Sequence, residues 1–304
     1  MISTADLQFL ADLSHEPSLA AVARSLNVSP PAVSQRLSLL ERRLGIRLVE
    51  RSGRGGIILT TDGERLAERA KGVLTELDAI ESEIAEARGE VTGHLRIFAP
   101  LGFGHRHVAP AVASFRQLHP QITAELTMSD QLGRIPQSAW DIIIHVGALS
   151  ESSLIAIPIA PNERLLCAAP SYLEQRGVPQ TPADLADHTC LAIREDDRDV
   201  TLWQFRHNNS RQRKSSFRIT PVLSSNDGEV VRDWAAQGLG IVQRSEWNVA
   251  DDIRSGRLVR LLADYTLRPA NVVALVSSRH ARAGRIEAFI SHFRSIMKPV
   301  PWRK

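Results

Sequence analysis

The sequence predicts an α/β chain with a small N-terminal winged helix-turn-helix, a long connecting helix, and a large C-terminal domain of alternating strands and helices. Three observations carry this. Two short amphipathic segments separated by a tight turn lie within residues 19–45. A proline-free stretch over residues 61–88 has apolar residues stepping by four and three. Beyond Gly93, apolar strand-like runs alternate with helical periodicity. With 304 residues, 43% apolar and 23% charged, the chain is long enough for two or three packed units and is not disordered in composition.

The head comes first. Leu7, Phe9, Leu10 and Leu13 recur at helical spacing behind Ser3 or Thr4 as cap, which predicts a helix ending near Ser14. After Pro17, the residues Leu19, Val22, Ala23 and Leu26 mark a second helix that Asn27 can end. Ser29 caps a third, with Pro30 at its first position, a buried stripe of Ala32, Val33, Leu37, Leu40 and Leu44, and Gly45 as its stop. This spacing fits a helix-turn-helix, although a plain helical hairpin shares it. Ser34, Gln35 and Arg36 are then the exposed side chains near the start of the third helix, able to hydrogen-bond base edges.

The segment after Gly45 favours DNA. Residues 47–49 and 57–59 read as short strands joined by a glycine-rich turn at 50–56, a wing whose Arg51 and Arg54 can neutralise phosphates. A nucleotide-cradling loop there lacks its Gly-Lys-Ser/Thr end and its following helix. The charge of +3 is uneven: Arg24, Arg36, Arg42, Arg43, Arg47, Arg51 and Arg54 stand against Glu41 and Glu50 alone. Further on, Glu76, Asp78, Glu81, Glu83, Glu86 and Glu90 face a single Arg88. Either run is also compatible with a solvated helix face.

Over residues 61–88, Leu66, Ala70, Val73, Leu77, Ile80, Ile84 and Ala87 form a heptad seam. A helix of this length reaches roughly 40 Å. With nothing else to cover it, the seam predicts a homodimer; an amphipathic helix lying on its own domain is the alternative. A two-fold dimer sets two recognition helices about 34 Å apart, one turn of duplex, and so predicts a palindrome-like site.

In the large domain, strands at 95–99, 122–128 and 141–146 with a helix at 105–118 form a βαβ series. It implies a mainly parallel sheet with ligands at the strand carboxyl ends. Strands at 164–169, 191–194, 240–243, 258–262 and 272–277 come next, with helices at 171–176, 227–237 and 283–297. Gly102-Phe103-Gly104 leads into a helix whose N–H groups and dipole suit an anion, beside His105, Arg106 and His107. A small anionic effector such as a carboxylate, aromatic or not, is expected there, the alternative being a capped helix end that holds only water.

That segment lacks the third glycine of a dinucleotide fingerprint, and no Gly-x-Ser-x-Gly elbow occurs. On a helix, His105 and His107 point about 200° apart, unlike a zinc pair. No enzyme activity, cofactor or metal is expected. Cys167 and Cys190 lie in apolar stretches and read as buried, inert thiols, since a redox-sensing pair needs an exposed thiolate. No apolar run reaches membrane-spanning length, and residues 1–12 carry acids where a secretory leader has a basic cluster, so a cytoplasmic chain with no membrane partner is expected.

With these elements in order, the chain resembles the LysR-type transcriptional regulators over essentially its whole length. The motifs are Ala20-Ala21-Val22-Ala23 to Val28, Ala32-Val33-Ser34 to Leu40-Glu41, Leu44-Gly45-Ile46-Arg47-Leu48 to Arg51, and Leu59-Thr60-Thr61-Asp62-Gly63-Glu64. The resemblance implies a winged head at 1–60, a linker and dimerisation helix at 61–90, and an effector domain at 91–304 of the two-lobed periplasmic-binding-protein type. Lobe I would comprise 91–165 and 266–304 and lobe II 166–265, with 164–169 and 258–265 as crossing segments. The DNA-contacting positions fall on Ser29, Pro30, Ser34, Gln35 and Arg36, with Arg51 and Arg54 on phosphates. The effector positions map to Pro100, Leu101, Gly102, Phe103, Ser129, His145, Val146, Ser225 and Asn226.

The implied function is sequence-specific binding of double-stranded DNA under control of a small-molecule effector, by a homodimer or homotetramer, with RNA polymerase as a partner if the protein activates. A small-molecule-binding protein or enzyme whose head serves only oligomerisation is the competing class. Four departures from the family pattern occur: Pro30 replaces a frequent Gln, Gln35-Arg36 reverses a usual Arg-Gln order, His145 replaces a frequent Arg, and Pro136 falls where many relatives have a full helical turn. His145 reads equally as an effector hydrogen-bond partner or a satisfied core histidine.

Overall fold

The structure is a computed structural model that describes all residues except 1, 53–55, 87, 89, 131–139, 150–152, 195–199, 210–213 and 278–282; at 51, 78, 79, 81–83, 85, 86 and 214 only the backbone is described. The chain forms two units, Met1–Ala87 and Arg88–Lys304. Among the described residues no helix is long and apolar enough to cross a membrane.

The head unit contains α1 (Thr4–His15), α2 (Leu19–Ser25), α3 (Pro30–Leu44), a hairpin of β1 (Val49–Ser52) and β2 (Gly56–Leu59), and α4 (Thr61–Glu86). Helix α1 starts in a capping box: the Ser3 hydroxyl accepts from the Asp6 N–H at 3.2 Å, and the Asp6 carboxylate accepts from the Ser3 N–H at 2.9 Å. Asp6 also takes Arg43 of α3 at 2.5 Å, and the Ser3 backbone bond holds its carboxyl below the usual range. Asn27 and Gly45 stop α2 and α3 with left-handed φ of 53° and 71°. Phe9, Leu10, Leu13, Val22, Val33, Leu37, Leu40 and Leu48 make the core.

Ala32, expected on the buried stripe, is exposed; one 100° step from Val33 carries it off the core face. The hairpin is longer than the sequence suggested, pairing Val49 with Leu59 and Ser52 with Gly56. Its base is fastened to α3 by the Glu41 carboxylate, which accepts from the N–H groups of Leu48 and Val49 at 2.7 and 3.3 Å. Gly63 lets α4 begin against this hairpin, because a Cβ there would stand 2.1 Å from the Leu48 carbonyl oxygen.

The large unit has two lobes. Its elements are β3 (Gly93–Ala99), α5 (Leu101–Phe103) running through a π turn (Gly104–Val108) into α6 (Ala109–Leu118), β4 (Ile122–Met128), β5 (Ile142–Val146), β6 (Ile155–Ala160), β7 (Arg164–Ala168), α7 (Pro170–Arg176), β8 (Cys190–Ile193), β9 (Leu202–His207), β10 (Lys214–Arg218), β11 (Leu223–Ser225), α8 (Gly228–Ala236), β12 (Ile241–Ser245), α9 (Glu246–Arg254), β13 (Val259–Leu261), β14 (Tyr265–Leu267), β15 (Val272–Val276) and α10 (Gly284–Ile296). The first lobe's sheet runs β4-β3-β5-β15-β6 and the second's β11-β8-β12-β7-β13, with a small antiparallel β10-β9-β14 sheet beside the latter.

Two expectations change. The sheets are mixed rather than mainly parallel, because β15 returns antiparallel to β5 and β6, and β7 antiparallel to β12 and β13. Residues 164–169 and 258–265 are not the crossings: β7, β13 and β14 all pair inside the second lobe. The chain crosses at 161–163 and 268–271, where the Asn162 amide donates to the Ala270 carbonyl at 2.8 Å and its oxygen accepts from the Trp247 N–H at 3.1 Å. Apolar runs identify strands but not the sheet they join.

Candidate nucleic-acid interface and ligand cavity

Helix α3 fixes which head residues can meet a groove. Val33, Leu37 and Leu40 are buried, and at 100° per residue Gln35 points almost directly away from them. Gln35 is exposed together with Pro31, Ala32, Ser38, Leu39 and Arg42, none of which the sequence singled out for DNA. Ser29 and Pro30 are exposed at the helix start; Ser29 occupies the cap position, but its hydroxyl makes no capping bond. Ser34 is half-buried. Arg36, expected among the exposed readers, turns back instead: it donates to the Ala5 carbonyl at 2.6 Å, and its guanidinium lies 4.5 Å from the Phe9 ring centroid. Arg51 sits in β1 with its side chain outside the described residues, and Arg54 lies outside them altogether.

The seam on α4 divides. Ala70 is only 1% exposed and Leu66 packs against the same cluster, so both serve the head's own core and neither is available to a partner. Val73, Leu77, Ile80 and Ile84 remain exposed, at 48%, 38%, 47% and 52%. Heptad spacing shows one continuous stripe; only the position of α1 shows where its cover ends.

In the large unit the helix start after β3 already meets a carboxylate of the chain itself. The first N–H of α5, at Leu101, donates to the Asp130 carboxylate at 2.9 Å, and the Gly104 N–H to the Pro100 carbonyl at 2.6 Å. The protein's own carboxylate thus stands where an effector anion was expected. A Cβ on Gly102 would come 3.1 Å from the Trp247 ring, and Phe103 is fully buried among His107, Trp247, Phe293 and Trp302. Arg106 pairs with Asp251 of α9. These contacts join the lobes.

Of the other mapped positions, Ser129 follows β4 and His145 and Val146 end β5, the two strands that flank β3 in the first lobe's sheet. The Ser129 N–H continues the β3–β4 ladder onto Ala99 at 3.1 Å. His145 is buried with Nε2 3.1 Å from the Ala148 carbonyl oxygen, and Val146 packs on the first lobe's core. The Ser225 hydroxyl accepts from the Asp227 N–H at the start of α8 at 3.1 Å, and Asn226 is exposed. Burial pushes both free thiols, Cys167 and Cys190, up to about 12, so neither is a thiolate near neutrality.

A cavity of about 480 Å³ opens instead between Ala148 and Leu149 beyond β5 and the second lobe's residues Leu191, Ala192, Ile193, Trp203, Gln204 and Gln243, with Arg164 and the crossing residues Arg268 and Pro269 at its side. None of the nine mapped effector positions lines it. Its described lining carries two arginines and no carboxylate. A basic residue at each lobe crossing was the sequence signal that could have found it.

The interlobe aromatic cluster also sets a pH dependence. Burial, aided by Arg106, lowers His107 from 6.5 to about 4. The unfolded chain therefore takes up this proton first as pH falls, and stability present above about pH 6.5 is lost as pH drops towards about 4. Melting temperature should fall through that window in the native protein and fall less steeply in His107→Phe; identical curves would show that His107 does not contribute.

Comparison with known proteins matches residues 4–64 to the bacterial regulatory helix-turn-helix protein, lysR family, and residues 88–298 to the LysR substrate binding domain. The HTH-type transcriptional regulator DmlR of Escherichia coli K12 is 35% identical over 95% of this chain and 92% of its own length. The transcriptional activator TtdR of the same strain is 34% identical over 89% and 86%. Among solved structures, the full-length Vibrio cholerae virulence activator AphB superposes with TM-score 0.62 at 25% identity, over 97% of this chain and 99% of that one. CrgA of Neisseria meningitidis gives 0.60 at 26%, over 98% and 99%.

Proposed function

The chain belongs to the LysR family of DNA-binding transcription regulators, which carry an effector-binding domain, and from that premise we propose that its effector is a small anion held in the cavity beside Arg164 and Arg268. The observation carrying this reading is the pair of arginines in a concave site whose other described lining residues are apolar or neutral. The volume of about 480 Å³ suits a small molecule. Guanidinium groups match carboxylate geometry, and the Gln204 and Gln243 amides add neutral polar partners. The helix start at Leu101, already capped by Asp130, is set aside as the anion site.

The cavity touches both lobes and a crossing, so a bound anion favours one lobe arrangement over another; that differential affinity is what effector control of DNA binding requires. The head binds DNA through α3 and the hairpin, and α4 pairs two chains through Val73, Leu77, Ile80 and Ile84 to form a homodimer that reads two half-sites in the cytoplasm. The expected division of head 1–60, linker 61–90 and effector domain 91–304 is retained in this proposal, with the lobe boundaries moved to 161–163 and 268–271.

The test uses the full chain. Fluorescence polarisation with fragments of its neighbouring promoter region should show affinity falling steeply with salt, and thermal-shift screening should show small carboxylates, but not their uncharged amides, raising the melting temperature of the large unit. Stabilisation by amides and not by carboxylates would overturn the anion reading.

A further inference from the structure

We infer that Gln35 is the base-reading side chain of α3 and selects adenine, while Arg36 reads no base and acts as a positioning residue. This rests on the family's DNA-binding activity and is independent of the effector reading. The two residues are neighbours of opposite fate. Gln35 is exposed and centred on the face opposite Val33, Leu37 and Leu40, whereas Arg36 is half-buried, bonded to the Ala5 carbonyl at 2.6 Å and seated over Phe9. To reach a base edge, Arg36 would have to leave both partners and uncover Phe9, which is fully buried. Gln35 gives up nothing of the kind.

An amide side chain presents one donor and one acceptor, which matches the N7 acceptor and N6 donor of adenine in the major groove; guanine offers two acceptors there and suits arginine. The surface around Gln35 agrees. Ala32 is three residues before it and Leu39 four after, both on its side of the helix, and Leu39 is 51% exposed. An exposed leucine on a groove-facing helix has an apolar counterpart in the major groove, the thymine methyl. One amide flanked by apolar side chains therefore fits A·T steps at the centre of each half-site. Arg42, one turn further on the same face, bonds the Ser38 carbonyl at 3.4 Å and stands towards the helix end.

The experiment selects bound sequences from a library of randomised duplexes with the full chain and its Gln35→Ala, Gln35→Arg, Arg36→Lys and Arg36→Gln variants. The native chain should prefer adenine at one position of each half-site by on the order of 10-fold. Gln35→Ala should lose that preference, and Gln35→Arg should replace it with guanine. Arg36→Lys and Arg36→Gln should weaken all sequences alike and leave the selected site unchanged; Lys keeps the charge if Gln proves too destabilising. A site unaltered by Gln35→Arg, or altered at one base by either Arg36 variant, overturns the inference while DNA binding by the head stands. A native chain that enriches no sequence at all overturns both.

Discussion

Replacing Leu77 and Ile80 together by glutamate is expected to leave the chain folded and to lower its affinity for a two-half-site operator by about 10²- to 10⁴-fold. Both side chains lie on the outer part of α4, 38% and 47% exposed, and both are free of the head's core. Burying such a stripe against a second copy is the ordinary source of coiled-coil stability, and a carboxylate at the seam must be either desolvated or expelled. Loss of pairing removes the second recognition helix, and each head must then bind without the high effective concentration its partner supplied. Sedimentation should show monomers where the native chain forms dimers, and polarisation with a single half-site should show little change. Ala70→Glu is the instructive contrast: at 1% exposure it should unfold the head before it separates chains. A Leu77→Glu/Ile80→Glu protein that still sediments as a dimer would remove α4 as the pairing element.

The same helix shows how far the sequence could be read. Its length, start and seam followed from an unbroken period of apolar residues, which is a local property. Its division at Val73 did not, because whether Leu66 and Ala70 face a partner or α1 depends on where another helix packs. Helix α3 repeats the lesson at single-residue scale. Gly45, Pro30 and the Val33–Leu37–Leu40 stripe were legible, yet the fate of Arg36 depended on the Ala5 carbonyl, 31 residues earlier. Strand β6 escaped notice because Pro158 is unusual inside a strand, and it is tolerated here only at the sheet's edge. Helix α9 escaped because it buries Asn248 and Asp252 along with Trp247 and Val249, so its polar pattern mimics a solvated segment.

The proposed effector site was the least legible part, for the same reason. A glycine-rich start to a helix is a sound anion signal only while no carboxylate in the fold reaches it, and Asp130 does, from 29 residues away. Arg164 and Arg268 are separated by more than a hundred residues and meet one cavity only because the chain crosses between lobes twice at neighbouring points.

Arg268→Ala should accordingly weaken binding of the carboxylates that stabilise the native chain by about 10- to 100-fold, the range for losing a hydrogen bond to a charged group. Arg268 is exposed at the cavity's side, so its removal should leave the melting temperature of the ligand-free protein unchanged. Arg268→Lys should recover only part of the loss, because an ammonium group keeps the charge but not the planar fork. Calorimetry on the full chain separates this site from the helix start at Leu101. Asp130→Asn removes the carboxylate charge that caps that start, and should leave carboxylate affinity unchanged if the ligand sits beside Arg268. Tighter binding in Asp130→Asn, with no loss in Arg268→Ala, would return the effector to the glycine segment and refute the cavity assignment. With Arg268→Ala, DNA affinity in the absence of effector should match the native value while its response to carboxylate disappears, since only the ligand's differential hold on the two lobe arrangements has been removed.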